Sequence, residues 1–153
     1  MRLASKHLIA AAGALAALAA VATSPAFAQE AGELFEEHCA ACHNTGGTGN
    51  PGIAPPLNRP AFWQALGDDA PSYLAGVIRS GMAGKLTIQG QMYVGLIMPP
   101  VATATDEELV EIATWVLQSL GETEGEMTPE LLAAAQEAQP THADLRAMRP
   151  AVD

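Results

Sequence analysis

The run Cys39-Ala40-Ala41-Cys42-His43 constrains this chain more than any other stretch, because it holds both cysteines with a histidine directly after the second. In an exported chain, a C-x-x-C-H run is typical of covalent haem attachment. The two thiols form thioethers with the vinyl groups of a haem, and the adjacent imidazole supplies one axial bond to the iron. The spacing therefore predicts a haem c site built by Cys39, Cys42 and His43.

Three other uses of this motif are less favoured. A reversible dithiol of the thioredoxin kind expects a βαβ surround, which the sequence does not indicate. A structural disulfide would strain the short loop between the cysteines. A zinc site needs four ligands, and only Cys39, Cys42 and His43 cluster.

Residues 1–28 have the three parts of a signal peptide: Arg2 and Lys6 at the start, an apolar run over 8–21, and the small-x-small site Ala26-Phe27-Ala28. We expect cleavage after Ala28. An uncleaved anchor is the alternative, but the apolar run is shorter than the ~20 residues of a spanning helix. Bacterial haem attachment takes place outside the cytoplasmic membrane, so export predicts a periplasmic protein without a stable membrane anchor.

The mature chain is strongly acidic. Removing Arg2 and Lys6 leaves five Lys and Arg against 17 Asp and Glu, so the formal charge falls from −10 to −12. Such a chain does not bind nucleic acid unaided. We expect redox protein partners with a basic docking surface, since opposite fields steer encounter. An acidic surface that serves solubility alone is an equal alternative.

Periodicity and turn residues predict a helical chain. One helix, over 29–41, delivers the cysteines, and a Gly- and Pro-rich loop follows over 44–58. Two further helices are predicted, one over 60–66 and one that begins at Pro71 and ends at Gly81. A third begins at a Thr105 capping box and ends at Gly121. A fourth begins at a Thr128 cap and ends at Ala138, and another helical turn or two is predicted over 141–148. The ordered loop over 80–100 is predicted to carry a hairpin of Leu86–Ile88 and Gln91–Tyr93. We divide the chain into a signal peptide (1–28), a haem domain (29–121) and an acidic, Ala-rich extension (122–153).

The side chains around the haem are predicted from context. A ligating histidine needs its second ring nitrogen fixed by an acceptor, and the Pro55 carbonyl is the candidate for His43. Met98 is the favoured second axial ligand, because a Gly-rich loop precedes it and two prolines stiffen the chain after it. The alternatives are Met82, Met92, Met127, Met148, His38 and His142. Trp63 is predicted to be a core residue whose indole reaches a propionate, and Arg79 and Lys85 contact propionates or only solvent.

Over about residues 31–120 the chain resembles class I cytochromes c. Gly32 and Phe35 match the first helix of that family, Pro55-Pro56-Leu57 its histidine-orienting loop, and Met98-Pro99 its axial-methionine loop. Trp115 stands where the last helix of the family has an aromatic. The resemblance implies an all-α, cytochrome c-like fold, with three to five helices around one covalently bound haem. The predicted C-terminal helical extension after Gly121 exceeds the minimal domain of that family. It also implies that the first and last helices cross near Gly32.

The segment 84–100 is similar to haem c domains that serve periplasmic dehydrogenases. Three functions follow from the sequence. The first is a periplasmic one-electron carrier with His/Met-ligated haem iron, acting as a monomer and not as an enzyme. The second is a subunit or docking module of a periplasmic dehydrogenase or oxidoreductase complex, in which the extension binds the partner. The third is an enzyme or gas sensor with an open iron site, against which Met98 argues.

Overall fold

The computed structural model describes residues 25–95 and 97–152. Residues 1–24 of the predicted signal peptide lie outside the described residues, and residues 25–28 form the first turn of a helix. The described chain is mostly helical, as predicted. Its helices are α1 (Pro25–His38), α2 (Ala40–His43), α3 (Pro60–Leu66), α4 (Ala70–Ser80), α5 (Asp106–Trp115), α6 (Pro129–Ala138) and α7 (His142–Ala147). Two 3-10 turns, Thr45–Gly47 and Gly67–Asp69, and a π-helical turn, Val116–Leu120, complete the helical part.

Four short strands lie in the segment between α4 and α5. Strands β2 (Leu86–Ile88) and β3 (Gln91–Tyr93) form the predicted hairpin. Its two-residue turn, Gln89-Gly90, has both φ angles positive, which matches the right-handed twist of hairpin strands. The sequence did not predict the second pair, β1 (Met82–Ala83) with β4 (Ile97–Met98), which is antiparallel and sets Met82 opposite Met98.

The first helix packs across α5, as the family resemblance implied. The rings of Phe35 and Trp115 lie with their centroids 5.0 Å apart. A Cβ added at Gly32 would lie 3.5 Å from the Trp115 indole, which is an ordinary van der Waals distance. The crossing is therefore confirmed, but the packing leaves room for a methyl group at residue 32.

Helix α5 begins as the sequence predicts. The Thr105 hydroxyl accepts from the Glu108 amide while the Glu108 carboxylate accepts from the Thr105 amide, so the capping box is complete. The helix then widens into the π-helical turn, closed by a hydrogen bond from the Gly121 amide to the Val116 carbonyl. Gly121 has a negative φ, and a side chain there would collide with Trp63, so space rather than a left-handed backbone favours glycine.

The segment after Gly121 folds onto the rest of the chain. The Met127 amide donates to the buried Thr114 hydroxyl of α5 at 3.0 Å. Helices α6 and α7 then pack on α4, with Leu132 and Leu145 almost fully buried in the common core. The predicted Thr128 cap is present, with Pro129 in the first turn of α6. The boundary at residue 122 remains a prediction, but no break in the core marks it among the described residues.

The predicted helix over 29–41 is wrong at both ends, because α1 begins at Pro25 and ends at His38. The helix ends at His38, and a separate short helix, α2, begins after Cys39. The Cys39 carbonyl accepts hydrogen bonds from both the Cys42 and His43 amides, at 3.2 and 3.0 Å. Cys39, Cys42 and His43 all line one cavity.

Candidate haem-binding site

The cavity that the C-x-x-C-H run faces has a volume of about 370 Å³ and a mainly apolar lining. Cys39, Cys42 and His43 lie on its wall, as do Met82 and Met98. No disulfide joins the two cysteines, of which Cys39 is half-buried and Cys42 exposed. Burial, and after it the neighbouring Cys42, raise the pKa of Cys39 to about 11, so this thiol is protonated at neutral pH.

The His43 ring is held as a metal ligand requires. Its Nδ1 lies 3.0 Å from the Pro55 carbonyl, which can only accept, so Nδ1 carries the proton and Nε2 keeps its lone pair. Burial lowers the pKa of His43, although the hydrogen bond to Pro55 acts in the opposite direction. The imidazole is therefore neutral near pH 7. The predicted contact between His43 and Pro55 is confirmed.

The loop that carries Pro55 is tied back to the motif. The Gly49 amide donates to the His43 carbonyl at 2.7 Å, and the Asn44 side chain donates to the Gly49 carbonyl at 2.6 Å. Gly49 has φ +80°, and a side chain there would collide with the Pro56 backbone. Glycine at this position thus lets the proline loop lie against the end of α2, where its carbonyl meets the imidazole.

The candidates for a second axial ligand separate by position. Met98 is half-buried and Met82 is buried, and both line the cavity. Met92 is 49% exposed on the hairpin, Met148 is also exposed, and Met127 is buried in the core. The His142 ring contacts another group, since its Nε2 lies 3.0 Å from the Ser80 carbonyl. His38 also lines the cavity, but its Nδ1 lies 3.3 Å from the Thr103 hydroxyl.

The loop holding Met98 is fixed on both sides. Met98 pairs with Met82 across the β1–β4 ladder, and the Val101 amide donates to the Ile78 carbonyl of α4 at 2.9 Å. Gly81 lies directly against the Met98 carbonyl, with no room for a side chain. The two ends of the loop predicted to hold a thioether are therefore held by backbone contacts, at β4 and at α4.

The cations in the cavity wall are Arg59 and Arg149, which the sequence analysis did not propose as site residues. Both guanidinium groups lie over the Phe62 ring, at 4.9 and 4.6 Å from its centroid. Arg59 also donates to the Val152 carbonyl, and Arg149 donates to the Tyr73 hydroxyl at 2.7 Å. Burial raises the pKa of Tyr73, so this hydroxyl stays neutral. Residues 59 and 149 lie far apart in the sequence, so no local motif predicts that they meet.

The three side chains considered for propionate contacts are placed differently from that expectation. Arg79 lies outside the cavity lining and forms an ion pair with Asp106 at 2.7 Å, and Lys85 is exposed. The Trp63 ring is buried, as predicted, but its indole N–H donates to the Leu57 carbonyl at 2.7 Å. The indole has a single donor, so this contact leaves none for a propionate.

The donor set fits a haem better than a bare metal ion. Over residues 25–95 and 97–152, no three His, Cys, Asp or Glu side chains converge on one point, so the zinc alternative has no ligand set there. The cavity instead combines two thiols, a neutral imidazole, thioethers, apolar walls and two guanidinium groups. These groups suit an apolar macrocycle that carries two vinyl groups, a central metal and two carboxylates.

The comparison with protein families defines the class. The model described as "Cytochrome C oxidase, cbb3-type, subunit III" matches residues 26–116, more than half of the chain. The chain belongs to this family of c-type cytochrome domains. The predicted cytochrome c-like fold is thereby confirmed, and so is the cofactor, a covalently bound haem c with its iron.

Particular relatives come from Thermus thermophilus. The chain is similar to one cytochrome c-552 of that organism, with 30% identity over 97 residues, which cover 63% of this chain and 65% of that protein. A second T. thermophilus cytochrome c-552 is 29% identical over 94 residues, covering 61% and 71%. The match therefore spans slightly less than two thirds of the first relative. Within the described residues, no helix is both long and apolar enough to cross a membrane.

Proposed function

We propose that this chain is a periplasmic one-electron carrier whose haem c is bound through Cys39 and Cys42, with His43 and Met98 as axial ligands. The observation that carries the proposal is the single cavity lined by all four side chains, with the His43 ring oriented by Pro55. Family membership supports electron transfer as the role. The predicted signal peptide supports the periplasm.

When bound, the haem supplies a one-electron Fe(II)/Fe(III) couple. The cavity that would hold this group has a mainly apolar lining. The Pro55 carbonyl fixes the His43 tautomer. His43 and Met98 would hold the iron, and a bound thioether would leave no site for substrate. Arg59 and Arg149, which line the cavity, would bind the propionates.

Met98 is preferred to Met82 for a structural reason. Met82 is 8% exposed and belongs to the hydrophobic core, where methionine usually fills space. Met98 is more accessible and is followed by two prolines and by the Val101 anchor on α4. A thioether is a weak ligand, and such a restrained loop lowers the entropy lost when it binds.

The partner is proposed to be a redox protein with a basic docking surface. The formal charge is −10 for the full chain, and the cleaved chain is more acidic. Such a field accelerates encounter with a cationic surface, and the acceleration weakens as salt is added. A protein–protein electron-transfer rate that falls with ionic strength is the expected result.

A second candidate function is a subunit of a respiratory complex. The observation that favours it is the family description, which names an oxidase subunit. The extension is not a free docking arm in this structure, because α6 and α7 pack against α4 and bury Leu132 and Leu145. Stable co-purification with a larger oxidoreductase supports this candidate, whereas a monomer in dilute buffer supports the carrier.

The ligation is tested by optical spectra of protein matured with haem. The wild type is expected to be low-spin in both oxidation states, with the weak methionine-to-iron(III) charge-transfer band. Met98→Ala should lose that band, whereas Met92→Ala, a matched control on the exposed hairpin, should keep it. If Met82→Leu loses the band and Met98→Ala keeps it, the ligand is Met82 and the assignment is wrong.

A further inference from the structure

We propose that the C-terminal helix α7 is a brace for the axial-methionine loop, with Arg146 as the positioning residue. This rests on the proposed function, since it takes Met98 as the axial ligand. It assigns a role to the part of the chain beyond residue 116, where the family match ends. The brace acts through strand β1, which lies between α7 and the strand that carries Met98.

Two side chains of α7 hold the backbone on either side of Met82, one at the end of α4 and one in β1. The His142 Nε2 lies 3.0 Å from the Ser80 carbonyl, just before the strand. Since a carbonyl only accepts, the imidazole donates there. The Arg146 guanidinium donates to the Ala83 carbonyl at the end of the strand, 63 residues away in sequence. The two contacts thus bracket Met82, the residue that pairs with Met98.

Strand β1 transmits this restraint to the ligand loop. Its register sets Met82 opposite Met98 and Ala83 opposite Ile97. Gly81 abuts the Met98 carbonyl and lies near the Pro99 carbonyl carbon. A shift of β1 would therefore move the backbone of Met98. Strand β1 has two residues, and the carbonyl that Arg146 holds belongs to one of them, Ala83.

Helix α7 is itself firmly seated, as a brace must be. Leu145 is 1% exposed and packs so closely on α4 that a side chain at Gly76 would collide with it. The N-terminus has a complete capping box, in which Thr141 and Asp144 satisfy each other's backbone amides. Gly84 gives the Arg146 guanidinium its space, because a Cβ at that position would overlap the group.

The test measures how easily the methionine is displaced. Imidazole is titrated into the ferric holoprotein, and its affinity is read from the optical change. Arg146→Met removes a charged donor from a half-buried carbonyl and should tighten apparent imidazole binding about tenfold. Arg146→Lys, which keeps a charged donor, should recover part of the difference. A purely structural role would lower the urea midpoint and leave the imidazole affinity unchanged.

Lys85→Met is the control for lost charge. Lys85 is exposed on the same loop, so its removal changes the net charge equally and should alter imidazole affinity by less than about twofold. If Arg146→Met and Lys85→Met behave alike, the brace is refuted. If Arg146→Met does not mature, Arg146→Lys and His142→Ala take its place, and unchanged affinity in both refutes the brace.

The same titration separates this inference from the ligation itself. Met98→Ala should bind imidazole much more tightly than the wild type, since no thioether competes. If Met98→Ala binds imidazole like the wild type, the proposed axial ligand is wrong. If Met98→Ala behaves as expected and Arg146→Met does not differ from Lys85→Met, only the brace is wrong.

Discussion

Gly81 and Gly90 offer a direct test of how the methionine loop is held. Their φ angles are nearly equal, +75° and +74°, so alanine is strained at both. Their surroundings differ. A Cβ at Gly81 would overlap the Met98 carbonyl oxygen and lie 3.0 Å from the Pro99 carbonyl carbon, whereas a Cβ at Gly90 meets nothing within 4 Å.

The difference can be given a magnitude. A left-handed alanine costs roughly 1–2 kcal/mol, which is the whole expected cost of Gly90→Ala. Gly81 has ψ −172° instead, in a region that is almost confined to glycine and costs about 1–3 kcal/mol for other residues. The collision with the backbone at Met98 adds about 1–3 kcal/mol more. We therefore expect Gly81→Ala to cost about 2–6 kcal/mol, which at the midpoints of these ranges is about 2.5 kcal/mol more than Gly90→Ala.

The assay combines urea unfolding of the ferric holoprotein with the methionine band. Gly90→Ala should lower the free energy of unfolding slightly and keep the band at full intensity. Gly81→Ala should lower the free energy of unfolding more and weaken or abolish the band. Equal losses of stability, or an intact band in Gly81→Ala, would refute the close packing of the β1 entry against Met98.

Two further predictions concern the extension and α5. Leu132→Ala and Leu145→Ala each remove a side chain that is at most 1% exposed, and each should lower the free energy of unfolding, measured by urea titration, by about 2–5 kcal/mol. The control Leu131→Ala removes a half-buried side chain and should cost less. Losses below about 1 kcal/mol at both buried leucines would show that the extension lies outside the core. Hydrogen bonds from the Thr105 amide, and then from its side chain, hold the pKa of Glu108 below its ordinary 4.5. The stabilisation that the ionised Glu108 carboxylate gives is present above pH 4.5 and is lost as the pH falls through its lowered pKa. The free energy of unfolding of Glu108→Gln should therefore fall less steeply at acid pH than that of the wild type. An unchanged pH profile would contradict the capping role.

The features that the sequence predicted correctly are local ones. The C-x-x-C-H spacing, the capping box at Thr105 and the two-residue hairpin turn each lie within a few residues, so their chemistry can be read directly from the sequence. The contact of His43 with Pro55 spans only 12 residues and follows from the requirement that a ligating imidazole be fixed.

The features that the sequence missed depend on distant partners. Arg59 and Arg149 meet over Phe62 only because α7 packs on α4 and returns the chain end to α3. The β1–β4 pair has two residues in each strand, too few to show a period. Arg79 and Lys85 were proposed because cations are scarce, and neither reaches the cavity. The Met98 candidate was a contextual prediction, and the structure brings it to the same cavity as Met82.

The measurement that tests the account most directly is a redox titration of the haem-loaded wild type, followed by carbon monoxide added to the reduced form. The account predicts reversible uptake of one electron per protein, a low-spin spectrum in both states, and no carbon monoxide binding without denaturant. Carbon monoxide binding by the native reduced protein would mean that Met98 does not close the iron site. The chain would then be better described as a haem enzyme or sensor than as an electron carrier.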